Sequence, residues 1–127
     1  MEAQDILVGI LHHFPEGQSE FRNDMQEIHR CFYELKKKYP SLSKDFKFDS
    51  RDYWPQSETV AGLFFGFTLA HLMWEKGVSY EQVEFSRHKI DRLYERLKSS
   101  LKPEEINEKI NALKGMSTYF QEKTVIG

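Results

Sequence analysis

The side chains in this sequence that could do chemistry are five histidines, one cysteine and scattered carboxylates. His29 and Cys31 are two residues apart in a helical pattern, so their side chains point to nearly opposite sides. The adjacent His12 and His13 diverge in the same way. Neither pair can chelate a metal ion from one helix, so a metal site would need residues that are distant in sequence. We therefore predict no metal and no cofactor.

Catalytic motifs are missing from the sequence. It contains no glycine-rich phosphate loop, no nucleophile elbow and no His-Glu-x-x-His helix. Nothing visible near Cys31 would lower the pKa of its thiol. Asp45, Asp49 and Asp52 lack the every-second-residue spacing of a calcium loop, so we interpret them as carboxylates around a solvated turn at 49–52. These observations favour a protein without enzymatic activity.

Composition indicates a single domain over residues 1–127. A chain of 127 residues can bury roughly two thirds of its unfolded surface without disulfides or metal ions. The net charge of -2 gives no overall cationic field, so unspecific nucleic-acid binding is not expected from charge balance. One cysteine suits a reducing compartment, and the N-terminal residues do not resemble a secretory signal. We predict a cytoplasmic protein.

The segment from Ser57 to Trp74, SETVAGLFFGFTLAHLMW, is apolar on every side when wound as a helix. Its one charged side chain is Glu58, and helices without a polar face are normally central core helices or oligomer interfaces. We therefore predict a buried helix over residues 57–74, capped by Ser57 and carrying a buried His71. A membrane helix is not expected, because a span needs about 20 predominantly apolar residues and this segment is shorter.

Small residues follow one edge of this predicted helix. Gly62, Gly66 and Ala70 recur at four-residue spacing, which would let another backbone come close. Each glycine inside a helix costs about 1 kcal/mol relative to alanine, so close packing should offset that cost. The sequence leaves open whether the edge meets a helix of the same chain or a second copy. Together with Phe65 and Trp74, these residues are our candidate interface for a homo-oligomer or a protein partner.

Four amphipathic helices are predicted to cover the central segment. They span residues 3–14, 19–39, 86–101 and 103–120, each with apolar residues at three- and four-residue steps. The second would be capped by Ser19 and carry Phe21 on its apolar stripe. The predicted fold is therefore mainly α, with about five helices around the buried helix 57–74.

Two stretches decide between a mixed fold and an all-α bundle. Phe46-Lys47-Phe48 alternates like a strand over residues 46–48. Residues 72–75 and 80–85 could be two further strands joined across Gly77, which gives a small antiparallel β element. In the alternative, Gly77 ends the central helix and a capping box at Ser79 opens the next one, which gives the all-α bundle.

The order of these elements resembles winged-helix domains that carry additional C-terminal helices. The residues behind the resemblance are Asp45-Phe46-Lys47-Phe48, Tyr53-Trp54-Pro55-Gln56-Ser57 and Val83-Glu84-Phe85-Ser86. In DNA-binding winged helices, the helix before the wing usually presents basic and amide side chains to the major groove. The resemblance places helix 57–74 there, and that helix has no such side chain to present. It therefore implies an interaction module, or DNA contacts on another surface.

Three functions from different classes follow from these patterns, and we favour a self-associating interaction module. A nucleic-acid-binding regulator would instead use basic residues outside helix 57–74. Those residues are Lys36, Lys37, Lys38, Lys44 and Lys47, or the face of Arg87, His88, Lys89, Arg92 and Arg96. A small-molecule-binding protein would use an aromatic pocket formed by Phe64, Phe65, Phe67 and Trp74.

Overall fold

A computed structural model describes residues 1–49 and 54–126, except for the side chain at position 126, and within them the chain forms five α-helices and a three-stranded antiparallel sheet. The helices are α1 (Ala3–His12), α2 (Met25–Lys38), α3 (Glu58–Leu69), α4 (Arg87–Ser100) and α5 (Pro103–Gln121), which continues as a π-helical turn (Glu122–Ile126). The strands are β1 (Glu20–Arg22), β2 (Met73–Lys76) and β3 (Gln82–Phe85). The prediction of a mainly α fold with a small β element is confirmed, whereas most of the turn predicted at 49–52 lies outside the described residues.

Of the two alternatives that the sequence left open for residues 72–85, the structure shows the β-hairpin, and the helix-to-helix turn is wrong. β2 pairs antiparallel with β3, with Met73 opposite Phe85, and β3 occupies the centre of the sheet. Gly77 adopts a φ of +97°, which glycine tolerates and which lets the chain reverse between the strands. Met73, Val83 and Phe85 are buried, so one face of the hairpin lies on the core.

The third strand lies at residues 20–22 and not at residues 46–48, where we predicted it. Phe21 in β1 pairs with Val83 in β3. Phe46 is fully buried in a non-strand segment, and its ring stacks on that of Phe32 in α2 at a centroid distance of 5.0 Å. The alternating phenylalanines therefore reflect packing on a helix: Phe46 and Phe48, two residues apart, contact Phe32 and Tyr33 of α2, and alternate residues can share one side without belonging to a sheet.

The second helix begins at Met25, later than predicted from Ser19. The side chain of Asp24 caps it by accepting a hydrogen bond from the backbone N–H of Glu27 at 3.1 Å. Phe21 lies four residues before Met25, so it fits the helical stripe by spacing alone. Because Asp24 caps the helix, α2 cannot extend back to Phe21, and Phe21 lies in β1 instead.

The most buried helix is α1, and the helix predicted as the buried centre lies at the surface. Residues Ile6–Leu11 of α1 are all buried, and α1 packs mainly against α4 and α5. α3 ends at Leu69, well short of Trp74, and turns only Val60, Phe64 and Phe67 inward. Composition records how apolar a segment is, whereas burial depends on which elements surround it, and α1 occupies the central position.

α1 and α5 approach each other closely at Gly9. A methyl group at this position would lie 2.7 Å from the Cδ1 atom of Leu113, whose side chain is fully buried. Ser117 on α5 strengthens the same contact by donating a hydrogen bond from Oγ to the carbonyl oxygen of Ile10. Gly9 is therefore needed for helix packing and not for a turn.

Overpacking a dense core costs about 1–3 kcal/mol, and alanine returns about 1 kcal/mol in a helix interior. Because Leu113 is fully buried and has little room to move, we expect Gly9→Ala to lower the free energy of unfolding by about 1–2 kcal/mol. Urea denaturation followed by circular dichroism measures the change. Gly62→Ala is the matched control, because a methyl group there meets no described atom within 4 Å. At low protein concentration this control should equal or exceed the wild type, and an unchanged Gly9→Ala variant would contradict the close approach.

Candidate interaction site

Large apolar side chains are exposed in one short segment of the chain. Of the six exposed in the described part of the chain, only Val125 lies outside residues 65–80. The other five are Phe65 (65% exposed), Leu69 (64%), Trp74 (41%), Val78 and Tyr80. Single exposed apolar residues are ordinary, so it is their concentration within residues 65–80 that makes this segment the candidate interaction site.

α3 turns an uncharged apolar surface to solvent. After Glu58 in its first turn, the helix has no charged residue, yet its buried residues occupy only one side. We call its solvent-exposed apolar residues the α3 face. They are Ala61, Gly62, Phe65, Gly66 and Leu69, with Ala70 at the C-terminal end. A helix normally puts polar side chains on its solvent side, whereas after Glu58 the one exposed polar residue of α3 is Thr68.

A groove of about 880 Å³ is lined by α3, α4 and the N-terminal half of α1, and we call it the α3–α4 groove. α3 contributes Gly62, Gly66 and Ala70 to its lining, and α4 contributes Leu93 and Leu97. Further apolar lining residues are Val8, Leu63, Phe67 and Leu72. Charged side chains also line it, and these are Glu2, Asp5, Asp45 and Arg96.

The two glycines beside this groove are not used for packing within the chain. A Cβ atom built on Gly62 or Gly66 would meet no described atom of the protein within 4 Å. Gly9 and Gly115 differ, because the same construction brings a Cβ against Leu113 and Tyr39 respectively. The close approach that would offset the helix cost of Gly62 and Gly66 is therefore not found among the described residues.

The five residues predicted as an interface are all exposed but do not form one continuous row. Gly62, Gly66 and Ala70 line the α3–α4 groove, while Phe65 projects beside them. Trp74 belongs to β2 and shares a different cleft with Phe65. Their role as an interface remains a prediction that exposure alone does not test.

The lysines predicted for nucleic-acid contact at the end of α2 have contacts within the chain. Lys36 donates a hydrogen bond to the carbonyl oxygen of Phe46. Lys37 lies 3.5 Å from a carboxylate one turn earlier. The ammonium group of Lys38 lies 4.0 Å from the ring centroid of Tyr119. Each of these lysines therefore has a contact within the chain, and the nucleic-acid role remains a prediction.

The basic residues predicted on α4 also differ from one another in role. Arg87 donates hydrogen bonds to four backbone carbonyls in the segment 12–18, and so ties the end of α1 to α4. Lys89 donates to the carbonyl oxygen of His71 at 3.4 Å, whereas Arg92 is exposed. Arg87 is therefore committed to holding two helices together.

The four aromatic residues proposed for a ligand pocket do not converge on one cavity. Phe64 and Phe67 are both 6% exposed and pack in the core. Phe64, Phe65 and Trp74 line a cleft of about 230 Å³. Ligand pockets usually measure at least about 300 Å³, so this cleft is small for a ligand site.

The histidines at the end of α1 have partners that are distant in sequence. His12 Nδ1 lies 2.8 Å from Asp91 Oδ1, and the His12 ring stacks on Tyr94 with centroids 3.7 Å apart. His13 Nε2 lies 3.1 Å from the Tyr94 hydroxyl, and burial, aided by the neighbouring His12, lowers the pKa of His13 to about 4. Local spacing could not reveal this cluster. No group of three or more His, Cys, Asp or Glu side chains in the described ranges could hold a metal ion.

The remaining histidines and the cysteine lie in three different environments. His29 is buried, burial lowers its pKa, and its Nδ1 accepts a hydrogen bond from the backbone N–H of Ser57 at 3.0 Å. Cys31 is buried, and burial raises the pKa of its thiol. His71, which we predicted inside a buried helix, is exposed with a φ of +59° just after α3. That prediction was wrong because α3 ends before His71.

Comparisons of the chain with protein-family models, curated proteins and solved structures found no match. The resemblance to winged-helix domains therefore depends on the order of the elements alone, with the hairpin following α3 directly. Among the described residues, no helix is both long and apolar enough to cross a bilayer.

Histidine burial predicts a loss of stability in acid that begins at a higher pH than the titration of ordinary carboxylates. The pKa values of His13 and His29 are lowered from the ordinary value of 6.5, so folding favours their neutral forms. Above that value both states are neutral and this contribution is fully present. As the pH falls below it, the unfolded chain binds protons that the folded chain does not, and stability declines until the folded pKa is reached, about 4 for His13.

We expect the free energy of unfolding of His13→Gln to fall less than that of the wild type between about pH 7 and about pH 5. Glutamine does not titrate, so the proton that the unfolded wild type binds at position 13 in this range is not bound by the variant. Urea denaturation at the two pH values measures the loss. His88→Gln changes an exposed histidine and serves as the matched control, with the wild-type loss expected. An equal loss in His13→Gln and the wild type would show that His13 is not a source of the acid sensitivity.

Proposed function

We propose that this chain is a small cytoplasmic protein-interaction module that acts without catalysis and associates with a second copy of itself through the α3 face. The observation that carries the proposal is the exposure of Phe65 and Leu69 on a helix with no charged side chain after Glu58. A helix that is apolar all round is stable only when its open side is covered. No described residue of the chain covers the exposed side of α3, so a second molecule would have to cover it.

The size of the apolar surface fits association of moderate strength. Full burial of a Phe or Leu side chain contributes about 1.5–3 kcal/mol. Phe65 and Leu69 are 65% and 64% exposed, so covering what remains open in both copies contributes about 4–8 kcal/mol. Association costs about 4–15 kcal/mol in lost translational and rotational freedom. The two terms are comparable, so these residues supply much of the driving force and neighbouring contacts such as Trp74 would complete it.

Charge supports a second copy as the partner. Two copies of α3 can meet without like-charge repulsion, because residues 59–70 carry no charged side chain. A symmetric dimer uses the same patch on both subunits, which must therefore be complementary to itself. An uncharged helix face meets that requirement more easily than a basic or acidic one.

The exposed glycines support the same proposal. Gly62 and Gly66 together cost α3 about 2 kcal/mol relative to alanine. A Cβ atom at either position would have open space around it, so the folded monomer does not require glycine there. Close approach of a helix from a second subunit would explain why small residues occupy this edge.

Native mass spectrometry and sedimentation over a range of protein concentrations test the proposal. We expect a reversible dimer for the wild type and at least about tenfold weaker association for Leu69→Glu, because a buried charge without a partner is strongly unfavourable at an interface. Val125→Glu is the matched control, because Val125 is an exposed apolar residue in the π-helical turn outside the segment 65–80. Both variants should keep the wild-type circular dichroism spectrum. A wild type that remains monomeric, or a Leu69→Glu variant that dimerises normally, would overturn the proposal.

A further inference from the structure

We propose that the α3–α4 groove is the receiving half of the dimer interface and that Phe65 of a second copy enters it beside Gly62 and Gly66. This inference rests on the proposed self-association and adds the contact by which the two copies recognise each other. Each copy would use α3 twice. The helix supplies the Phe65 side chain that enters the partner's groove, and it also forms one wall of its own groove.

Large and small residues form two adjacent rows on the surface of α3. Phe65 and Leu69 are four residues apart and form a ridge. Gly62, Gly66 and Ala70 have the same spacing and form a shallow row next to it. Helices pack by placing the ridges of one into the grooves of the other. Across a two-fold axis, the ridge of each copy would lie against the small-residue row of its partner.

The groove offers apolar space of the right kind for an aromatic ring. Its volume is about 880 Å³, and Leu63, Phe67, Leu93 and Leu97 are part of its lining. The glycine side is open, because a Cβ atom at Gly62 or Gly66 has no described neighbour within 4 Å. The proposal therefore combines an exposed aromatic side chain with an apolar cavity next to it on the same helix, and does not depend on the small residues alone.

The charges around the groove suit a second copy better than a strongly charged partner. Charged side chains of both signs line the groove and its adjoining end, where Lys109 is paired with Glu105 at 3.1 Å. Five others have no ion-pair partner within 4 Å in the described ranges. They are Glu2, Asp5, Asp45, Lys44 and Arg96. Because both signs are present, a second copy brings a counter-charge for each sign. A purely basic or purely acidic partner would leave one sign unmatched.

Two complementary substitutions test the contact. Gly66→Leu fills the groove wall, and Phe65→Ala removes the side chain that should enter it. We expect Gly66→Leu to fold, because its new side chain points into open space, and to dimerise at least about tenfold more weakly than the wild type. Phe65→Ala should also weaken the dimer. Gly66→Ala, with a smaller side chain, should have an intermediate effect.

Mixing the two variants gives a sharper result than either alone. In a mixed dimer, one of the two symmetry-related contacts keeps its original Phe and Gly, and the other places the truncated side chain against the enlarged one. The mixed dimer should therefore form more strongly than the Gly66→Leu homodimer. The variants differ in mass, so native mass spectrometry separates the mixed dimer from both homodimers.

The outcomes distinguish this inference from the proposed function. A monomeric wild type would overturn both. A wild-type dimer that Gly66→Leu leaves unchanged would overturn only the groove contact, and so would weakened variants without a stronger mixed dimer. A retained small molecule in the wild type that is lost from a folded Gly66→Leu variant would show another occupant and overturn the groove contact. If Gly66→Leu failed to fold, Gly62→Leu mixed with Phe65→Ala would provide the same comparison.

Discussion

The packing of α1 at the centre of the helical layer determines the rest of this structure. Residues Ile6–Leu11 are all buried, and Gly9 lets α5 come close enough for Leu113 to fill the space that a side chain would occupy. α4 packs on the same helix and is tied to its end by Arg87. Since α1, α4 and α5 surround the core, α3 can contribute only one side to it.

This arrangement explains how the most apolar helix comes to lie at the surface. Its inward residues, Val60, Phe64 and Phe67, satisfy the core, and Phe65 and Leu69 remain in contact with water. A monomer would be more soluble with polar residues at these two positions, and this is the physical basis of the proposal that a second copy covers them. The same helix face therefore provides the basis for the proposed dimer and a potential aggregation site when the dimer is absent.

Sequence patterns predicted elements well where local chemistry decides them and poorly where distant contacts do. For the hairpin after α3, the alternation of Val83 and Phe85 was a correct local signal, but Gly77 fitted a helix end equally well and left two alternatives open. β1 could not, because a three-residue strand has almost no periodicity and exists through its pairing with β3. The candidate interface was identified from composition, but the predicted burial of α3 failed because hydropathy contains no information about which helix occupies the centre. The groove required the placement of α4 beside α3, which no local pattern specifies.

Polar contacts at both ends of α3 hold its exposed face in position despite its limited core packing. At the start, the Ser57 N–H donates to buried His29, and the Ser57 hydroxyl accepts from Val60 at 3.2 Å. Beyond the end, Ser86 donates its backbone N–H to the carbonyl oxygen of Leu72 at 2.9 Å. Because both ends of α3 are already fixed, the helix loses little conformational entropy when a partner binds. Such preorganisation strengthens binding without adding contacts. Because Nδ1 of His29 accepts only when the ring is neutral there, proton uptake by His29 would weaken this anchor and the proposed interface together.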